Sequence, residues 1–388
     1  MVKFIHREIE TSIIDASKYF SVISVIGPRQ SGKTTLIKNL FSTLPYYSLE
    51  DLDVRNVAKE DPRGFLAKFP NGAVLDEVHN APELLSYIQG IVDNDESVRF
   101  VLSGSSQFSM LQSVTQSLAG RTAIFELMPF SYSELHDELA NKSLDTILYN
   151  GFYPAIHSGR NKAEYLYQSY VKTYLERDVR QLLNIGDMDA FQKFLRVCAS
   201  RIGSIFKAVD IANEIGVSYK TIQSWMSVLQ ASYVIILLQP FSTNTEKRLT
   251  KSPKIYFVDT GLACYLLGIE NESQLSRDRM RGNLFENFVV MEALKKRYNQ
   301  GKESNLYFYR DSNQNEVDLL VKKANVYDAI EIKSSQTFHP EFEKGLKMFK
   351  QNFESHTANC SVIYTGDLEV DTKEIKLYNY KNLDKILR

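Results

Sequence analysis

The chain has 388 residues, of which 44% are hydrophobic and 24% charged; this is soluble globular usage, at a length that predicts two or three domains. Forty-six Lys and Arg against 47 Asp and Glu leave a formal net charge of −1, so any contact with nucleic acid must be a local patch rather than an overall basic field. A single small module and a disordered or fibrous chain are excluded, and extensive DNA wrapping is disfavoured.

Cys198, Cys264 and Cys360 are far apart, with no CxxC pair and no even count for a disulfide framework, which predicts a reducing, cytoplasmic location. The N-terminus carries Glu8 and Glu10 without an apolar leader core. No stretch approaches the ~20 apolar residues of a membrane span, so neither secretion nor a membrane partner is expected.

In chain order, the β-branched run 21–26 (SVISVI) reads as a strand, and GPRQSGKTTLIKNLF follows it with helical apolar spacing. The loop Gly27, Pro28, Arg29, Gln30, Ser31, Gly32, Lys33, Thr34 matches GxxxxGK[ST], a loop whose backbone N–H groups cradle phosphates at a helix N-terminus. The two glycines permit close phosphate approach, Lys33 reaches the β and γ phosphates, and the Thr34 hydroxyl ligates Mg2+, with Thr35 next in the same turn.

A second apolar run, 73–77 (AVLDE), ends in Asp76 and Glu77. Asp76 is placed to hold Mg2+ directly or through water, and Glu77 to orient or deprotonate the attacking water. The strand 98–102 ends in SGSS, so Ser103 or Ser105 is placed to sense the γ-phosphate at a C-terminal strand edge. Arg121, ahead of the apolar 122–127 segment, reads either as an arginine finger or intersubunit contact, or as a surface salt-bridge partner.

These stretches, with GFYPAI, YLERDV, YFVDTGL, GNLFENFVV, EVDLLV and EIKSS in this order, resemble the bacterial and archaeal AAA+-like ATPases that carry a restriction-endonuclease-like C-terminal domain. The resemblance implies ATP as the nucleotide, with Mg2+, and leaves a homo-oligomer open. It also implies that Tyr153 and Pro154 pack near the adenine as a lid element, although Pro154 reads locally as a helix-start residue. Two departures stand out: His79 and Phe152 occupy neighbourhoods where members often carry Gln and a Gly-Gly pair.

The middle of the chain continues with helical spacing over 163–183, where Glu176, Arg177, Asp178 and Arg180 group on a helix. Residues 207–258 read as a winged helix: helix 208–215, a Gly216-Val-Ser turn, helix 219–231, then strands 233–238 and 255–258. Ile222, Trp225, Val228 and Leu229 have core spacing, which leaves Tyr219, Lys220, Gln223 and Ser224 as candidate DNA readers, with Lys247, Arg248, Lys251 and Lys254 as a basic wing. A lid or protomer-contact role is the alternative.

A polar stretch before Gly282 marks a domain boundary. A Glu286-bearing helix precedes strands carrying Asp318 and, thirteen residues on, Glu331 and Lys333, whose alternation places both on one strand face. The order resembles a PD-(D/E)xK nuclease core. In that reading Glu286, Asp318 and Glu331 ligate Mg2+ or Mn2+, and Lys333 assists the attacking hydroxide at a scissile phosphate of DNA. His339 and His356 lack partners at metal spacing. The expected architecture is α/β: a parallel-sheet P-loop ATPase core over 1–150, a helical lid and winged-helix region over 151–275, and an α/β restriction-endonuclease-like domain over 276–388.

Overall fold

The computed structural model describes residues 4–104, 117–175, 187–241, 252–372 and 374–387, with backbone alone at 174 and 175. Five strands, β1 (Val22–Ile26), β2 (Tyr46–Ser48), β3 (Gly72–Asp76), β4 (Arg99–Gly104) and β5 (Thr122–Glu126), form an all-parallel sheet in the order β2-β3-β4-β1-β5. Alternation within the strands divides their side chains between two faces. Ile23, Val25, Val74 and Val101 pack with Ile9 and Ile13 of the α1 segment (α1, Glu10–Ala16) and with Leu36 and Ile37 of α2 (Lys33–Leu40). Val22, Ala73, Leu75, Phe100 and Leu102 pack on the other face with α5 (Leu84–Asn94), beside α3 (Leu52–Glu60) and α4 (Pro62–Ala67). Burial on both faces is what an all-parallel sheet demands.

The helices α6 (Leu144–Asn150), α7 (Ala163–Ser169), α8 (Met188–Ala199), α9 (Ala208–Ile215) and α10 (Tyr219–Ala231) follow. Between α9 and α10, Gly216 adopts φ 87°, the left-handed turn the sequence called for, and the Ser218 side chain caps α10 by accepting from Thr221 N. The strands β6 (Ile235–Pro240) and β7 (Lys254–Phe257) then pair antiparallel.

After α11 (Thr260–Leu266) comes α12 (Arg281–Asn299), a helix buried on nearly every side. It leads into the antiparallel meander β8 (Leu306–Arg310), β9 (Glu316–Lys323), β10 (Val326–Lys333), then α13 (Lys344–Asn352) and β11 (Thr357–Tyr364), which lies parallel to β10. With β12 (Val370–Asp371) and β13 (Lys376–Asn379) the sheet has eight strands, β12-β13-β11-β10-β9-β8-β6-β7. The expected division at 275/276 does not coincide with a break in this sheet, because β6 pairs in parallel with β8 through Gln239 and Pro240. Asn287 of α12 ties the edge strand in as well, accepting from Phe257 N at 2.7 Å and donating to Phe257 O at 2.8 Å. Among the described residues no helix is long and apolar enough to cross a membrane.

Candidate functional site

The turn between β1 and α2 lies at the C-terminal edge of the parallel sheet, where α/β folds bind ligands. Gly27 has φ 146°, and a Cβ there would lie 2.2 Å from the Leu127 carbonyl oxygen. Gly32 has φ 98° and precedes the first turn of α2, where a Cβ would be in van der Waals contact with Pro154 and Arg7, each at 3.7 Å. Both positions therefore require glycine. The Lys33 ammonium is folded back into the loop, donating to the Gly27 and Pro28 carbonyls at 2.9 and 2.8 Å. Burial pushes it down to about 8, against the raising charges of Glu77 and Asp76.

Asp76, at the end of β3, gathers several donors. Its Oδ2 accepts from Thr34 Oγ1 and from the Tyr46 hydroxyl, both at 2.7 Å, and Ser103 Oγ donates to Oδ1. Burial and Asp76 together raise the Tyr46 hydroxyl far above its ordinary value. Glu77 follows in the left-handed region, φ 53°, which turns its side chain out of the strand into the cleft. Burial pushes its carboxyl up, but His79, Lys33 and Arg29 outweigh this and hold it at about 2. His79 Nδ1 lies 3.1 Å from Glu77 Oε2, close enough to pair electrostatically without the alignment of a hydrogen bond.

The cleft beside this loop measures about 620 Å³, and of the expected residues Arg29, Gln30, Gly32, Lys33, Thr34, Thr35, Glu77 and Pro154 line it. Its far wall is built from the N-terminal segment at Phe4 and Ile5, from Phe130, and from the segment around Arg160 and Asn161. Pro154 begins the short helix Pro154–His157 and faces the cleft, whereas Tyr153 is 1% exposed and packs on Tyr167 and Tyr170. The lid expectation is thus divided: only the proline of the pair reaches the site.

Two further candidates are placed away from the cleft, Arg121 in the salt-bridge role that was its alternative reading. Arg121 lies at the N-terminal end of β5, the opposite edge from the loop, and its guanidinium is paired with Asp93 through Nε and Nη2. A five-residue strand separates the two edges by roughly 16 Å, so Arg121 does not reach this chain's own phosphate loop. Ser103 is fully buried behind Asp76 and holds that carboxylate rather than facing the cleft. Ser105 lies outside the described residues, as do Glu176, Arg177, Asp178, Arg180, Lys247, Arg248 and Lys251.

Arg7 supplies what the motifs did not reveal. It donates to Ser31 O at 3.0 Å, to Met128 O at 2.6 Å and to Glu134 Oε1 at 3.0 Å, with its guanidinium 4.7 Å from the Phe130 ring centroid. One buried side chain from the N-terminal segment thus braces the phosphate loop against the segment after β5. No local pattern marks it, because its partners are 24 to 127 positions away.

The C-terminal carboxylates converge from three elements. Asp318 of β9 accepts from Ile332 N at 2.8 Å through Oδ2, and Lys333 of β10 lies 3.5 Å from that oxygen and 2.5 Å from Glu331 Oε1. Glu286 of α12 turns to other partners: its Oε1 accepts from the Tyr256 hydroxyl at 2.5 Å and from Lys254 Nζ at 3.1 Å. Burial and the charge of Asp318 push Glu331 upward, and burial likewise raises Glu286 in spite of Lys254. Lys333 stays above its ordinary value because Asp318 and Glu331 outweigh its burial.

Asp318, Glu331 and Lys333 thus meet across β9 and β10, while Glu286 pairs with β7. Among the described residues no three His, Cys, Asp or Glu side chains are gathered as a metal-holding group. Lys254, expected on a solvent-facing basic wing, is instead 1% exposed inside this cluster. Of the candidate DNA readers on α10, Tyr219, Lys220 and Gln223 are exposed and Ser224 is half-buried, while Ile222, Trp225, Val228 and Leu229 face the core.

Three family models match successive parts of the chain. Residues 19–136 match the model of an AAA domain, 141–273 a domain of unknown function (DUF8612), and 281–383 another (DUF4143). The chain is 27% identical over 353 residues to the uncharacterized protein Rv2008c of Mycobacterium tuberculosis, covering 89% of this chain and 77% of that one. It is 24% identical over 416 residues to the uncharacterized protein MJ1544 of Methanocaldococcus jannaschii, covering 96% and 88%. A solved structure, the Walker-type ATPase PABY2304 of Pyrococcus abyssi, aligns at 13% identity and a TM-score of 0.43 over 67% of this chain and 94% of that one. With its five-stranded parallel sheet and phosphate loop, the N-terminal third has a P-loop α/β fold and matches the AAA domain model.

Proposed function

We propose that the chain binds ATP with Mg2+ in the cleft beside the phosphate loop, hydrolyses it, and passes its nucleotide state to a DNA-binding C-terminal half. The observation that carries the reading is the meeting of Lys33, Thr34, Asp76 and Glu77 at one strand edge, with Thr34 Oγ1 2.7 Å from Asp76 Oδ2. The residues fit the nucleotide and its ion. Ser31 Oγ is buried without a hydrogen-bond partner within the loop, and Gly32 leaves the floor of the cradle open. Thr34 and Asp76 are the residues that would hold Mg2+, which when bound neutralises charge on the β and γ phosphate oxygens.

Lys33 and Arg29 supply positive charge where phosphoryl transfer spreads negative charge over the equatorial oxygens. Glu77, ionised at neutral pH, is too weak a base to pull a proton early, and its task is to accept a hydrogen bond from the attacking water and aim it at the γ-phosphorus. A loose transition state asks little more of it. The proton leaves with inorganic phosphate as ADP forms.

The C-terminal half supports the second element of the reading. The pair α9 and α10 with the β6–β7 hairpin has the order of a winged helix, and α12, the β8–β10 meander, α13 and β11 have the order of a PD-(D/E)xK fold. Its carboxylates are engaged by lysines and backbone, so this half is read as a binding scaffold that cuts nothing.

The test is Lys33→Ala, with ATP binding and turnover measured in Mg2+. Loss of both is expected, and hydrolysis unchanged in the variant would sink the assignment. For the second element, binding of duplex DNA should weaken in Lys220→Ala and depend on nucleotide; nucleotide-independent, Lys220-independent binding would overturn it.

A further inference from the structure

We propose that Lys254 is the resident cation of the C-terminal carboxylate cluster and that its ammonium group closes the cluster to divalent metal ions. The residue stands on β7, in the segment that precedes the C-terminal domain, yet its side chain is 2% exposed and reaches across to α12 and β9. There Nζ lies 3.1 Å from Glu286 Oε1 and 2.5 Å from Glu316 Oε1. The Tyr256 hydroxyl donates to the same Glu286 oxygen at 2.5 Å. Lys254 and Tyr256, two residues apart on one face of β7, thus each contribute a donor to one carboxylate.

The backbone delivers Lys254 to this position firmly. The β6–β7 pair joins the eight-stranded sheet through β8, and a bridge between Ile205 and Lys254 holds the beginning of β7 from the other side. Gly203 of the same preceding segment approaches so closely that a Cβ would lie 3.1 Å from Glu286 Oε2. Glu286 is therefore covered by backbone on one side and by an ammonium group on another.

Three cations face the four carboxylates of the cluster. Lys254 serves Glu286 and Glu316, Arg310 adds a contact of 3.4 Å to Glu316, and Lys333 serves Glu331 and Asp318. A divalent ion seated on Glu286 would lie within a salt-bridge length of a buried ammonium, and like charges at that separation repel strongly where water is excluded. One acceptor is left over: Glu331, 9% exposed, has Oε2 buried without a hydrogen-bond partner. The carboxylates could thus take an ion once the ammonium is removed. The occupant is a side chain supplied by the neighbouring segment, so the same contact that neutralises the acids welds β7 to the C-terminal domain.

The experiment counts Mn2+ bound to the full chain without nucleotide, by electron paramagnetic resonance of the free ion. Any ion held near the phosphate loop is separated by its indifference to Asp318→Asn. Wild type is expected to bind no Mn2+ that depends on Asp318 at millimolar concentration. Lys254→Met is expected to gain one such site, lost again in the Lys254→Met, Asp318→Asn double variant, while Lys254→Arg, which keeps the charge, gains none. Asp318-dependent Mn2+ binding by wild type would overturn the proposal, as would a folded Lys254→Met chain that gains no site. If Lys254→Met does not fold, Lys254→Gln, which keeps a hydrogen-bonding group without the charge, takes its place with the same expected gain.

Discussion

The ionisation of two side chains governs what the phosphate loop can do. Lys33 is lowered to about 8 mainly by burial, with its ammonium held by two loop carbonyls. A polyphosphate stabilises the charged form, so nucleotide binding raises this value again and takes up a proton above pH 8. Affinity for ATP should therefore fall as pH rises through 8, by up to about tenfold per unit, and calorimetry in two buffers of different ionisation enthalpy at pH 8.5 should register proton uptake. Release, or no exchange, would contradict the burial of Lys33. Glu77→Gln keeps shape and loses charge. It should bind ATP with little change and turn over ~10²–10³-fold more slowly, read in single-turnover kinetics.

Among the elements, α12 has the most unusual surroundings, since it is buried almost all round and carries charged groups there. Glu292 Oε2 accepts from Tyr132 N at 2.7 Å, while Lys295 donates to Phe130 O and to Glu292 Oε1, each at 2.8 Å, with its ammonium 4.0 Å from the Phe152 ring centroid. Phe152 in turn stacks on Phe288 of the same helix, centroids 5.6 Å apart and planes 7° from parallel. The bulk of Phe152 is thus used to dock α12 against the segment after β5. Lys295→Met removes one partner of a buried pair and leaves Glu292 uncompensated; a loss of about 3–5 kcal/mol is expected in chemical denaturation. A change below 1 kcal/mol would mean that packing alone holds the helix.

At the scale of the molecule, the nucleotide cleft is closed by parts distant in sequence. The N-terminal segment contributes Phe4 and, through Arg7, a brace on the loop; the segment after β5 contributes Phe130, and the short helix beyond with the loop that follows it contributes Pro154 and Arg160. Phe130 also lies under α12 by way of Lys295, so the cleft wall and the helix bearing Glu286 share a contact. ATP at a hundred times its Kd should stabilise the chain by about 2.7 kcal/mol. The accompanying rise in Tm should vanish in Lys33→Ala. Hydrogen exchange should slow on ATP binding in residues 4–7 and 154–166 together; protection confined to the phosphate loop would show that the outer wall is not part of the site.

How much of this was legible in the sequence depends on how far apart the partners lie. The phosphate loop, the acids ending β3 and the helix-turn-helix glycine are local chemistry: Gly27, Gly32 and Gly216 each need a backbone conformation, and Asp76 and Glu77 follow directly from the strand that carries them. Strand and helix order in the C-terminal third was legible for the same reason, since periods of 2 and 3.6 are written in consecutive residues. Arg7, Phe130 and the burial of Lys254 were not legible. Each acquires its role from residues tens to hundreds of positions away, and a lysine among polar neighbours in a chain reads as solvated until the fold sets Glu286 and Glu316 against it. Arg121 and Ser103 illustrate the converse, residues of suitable type that parallel strand direction and burial assign elsewhere. The sequence by itself determined which backbone could cradle a phosphate and which acids lie near one another; only the tertiary structure decided which charges face one another out of water, because that pairing depends on the packing of distant elements.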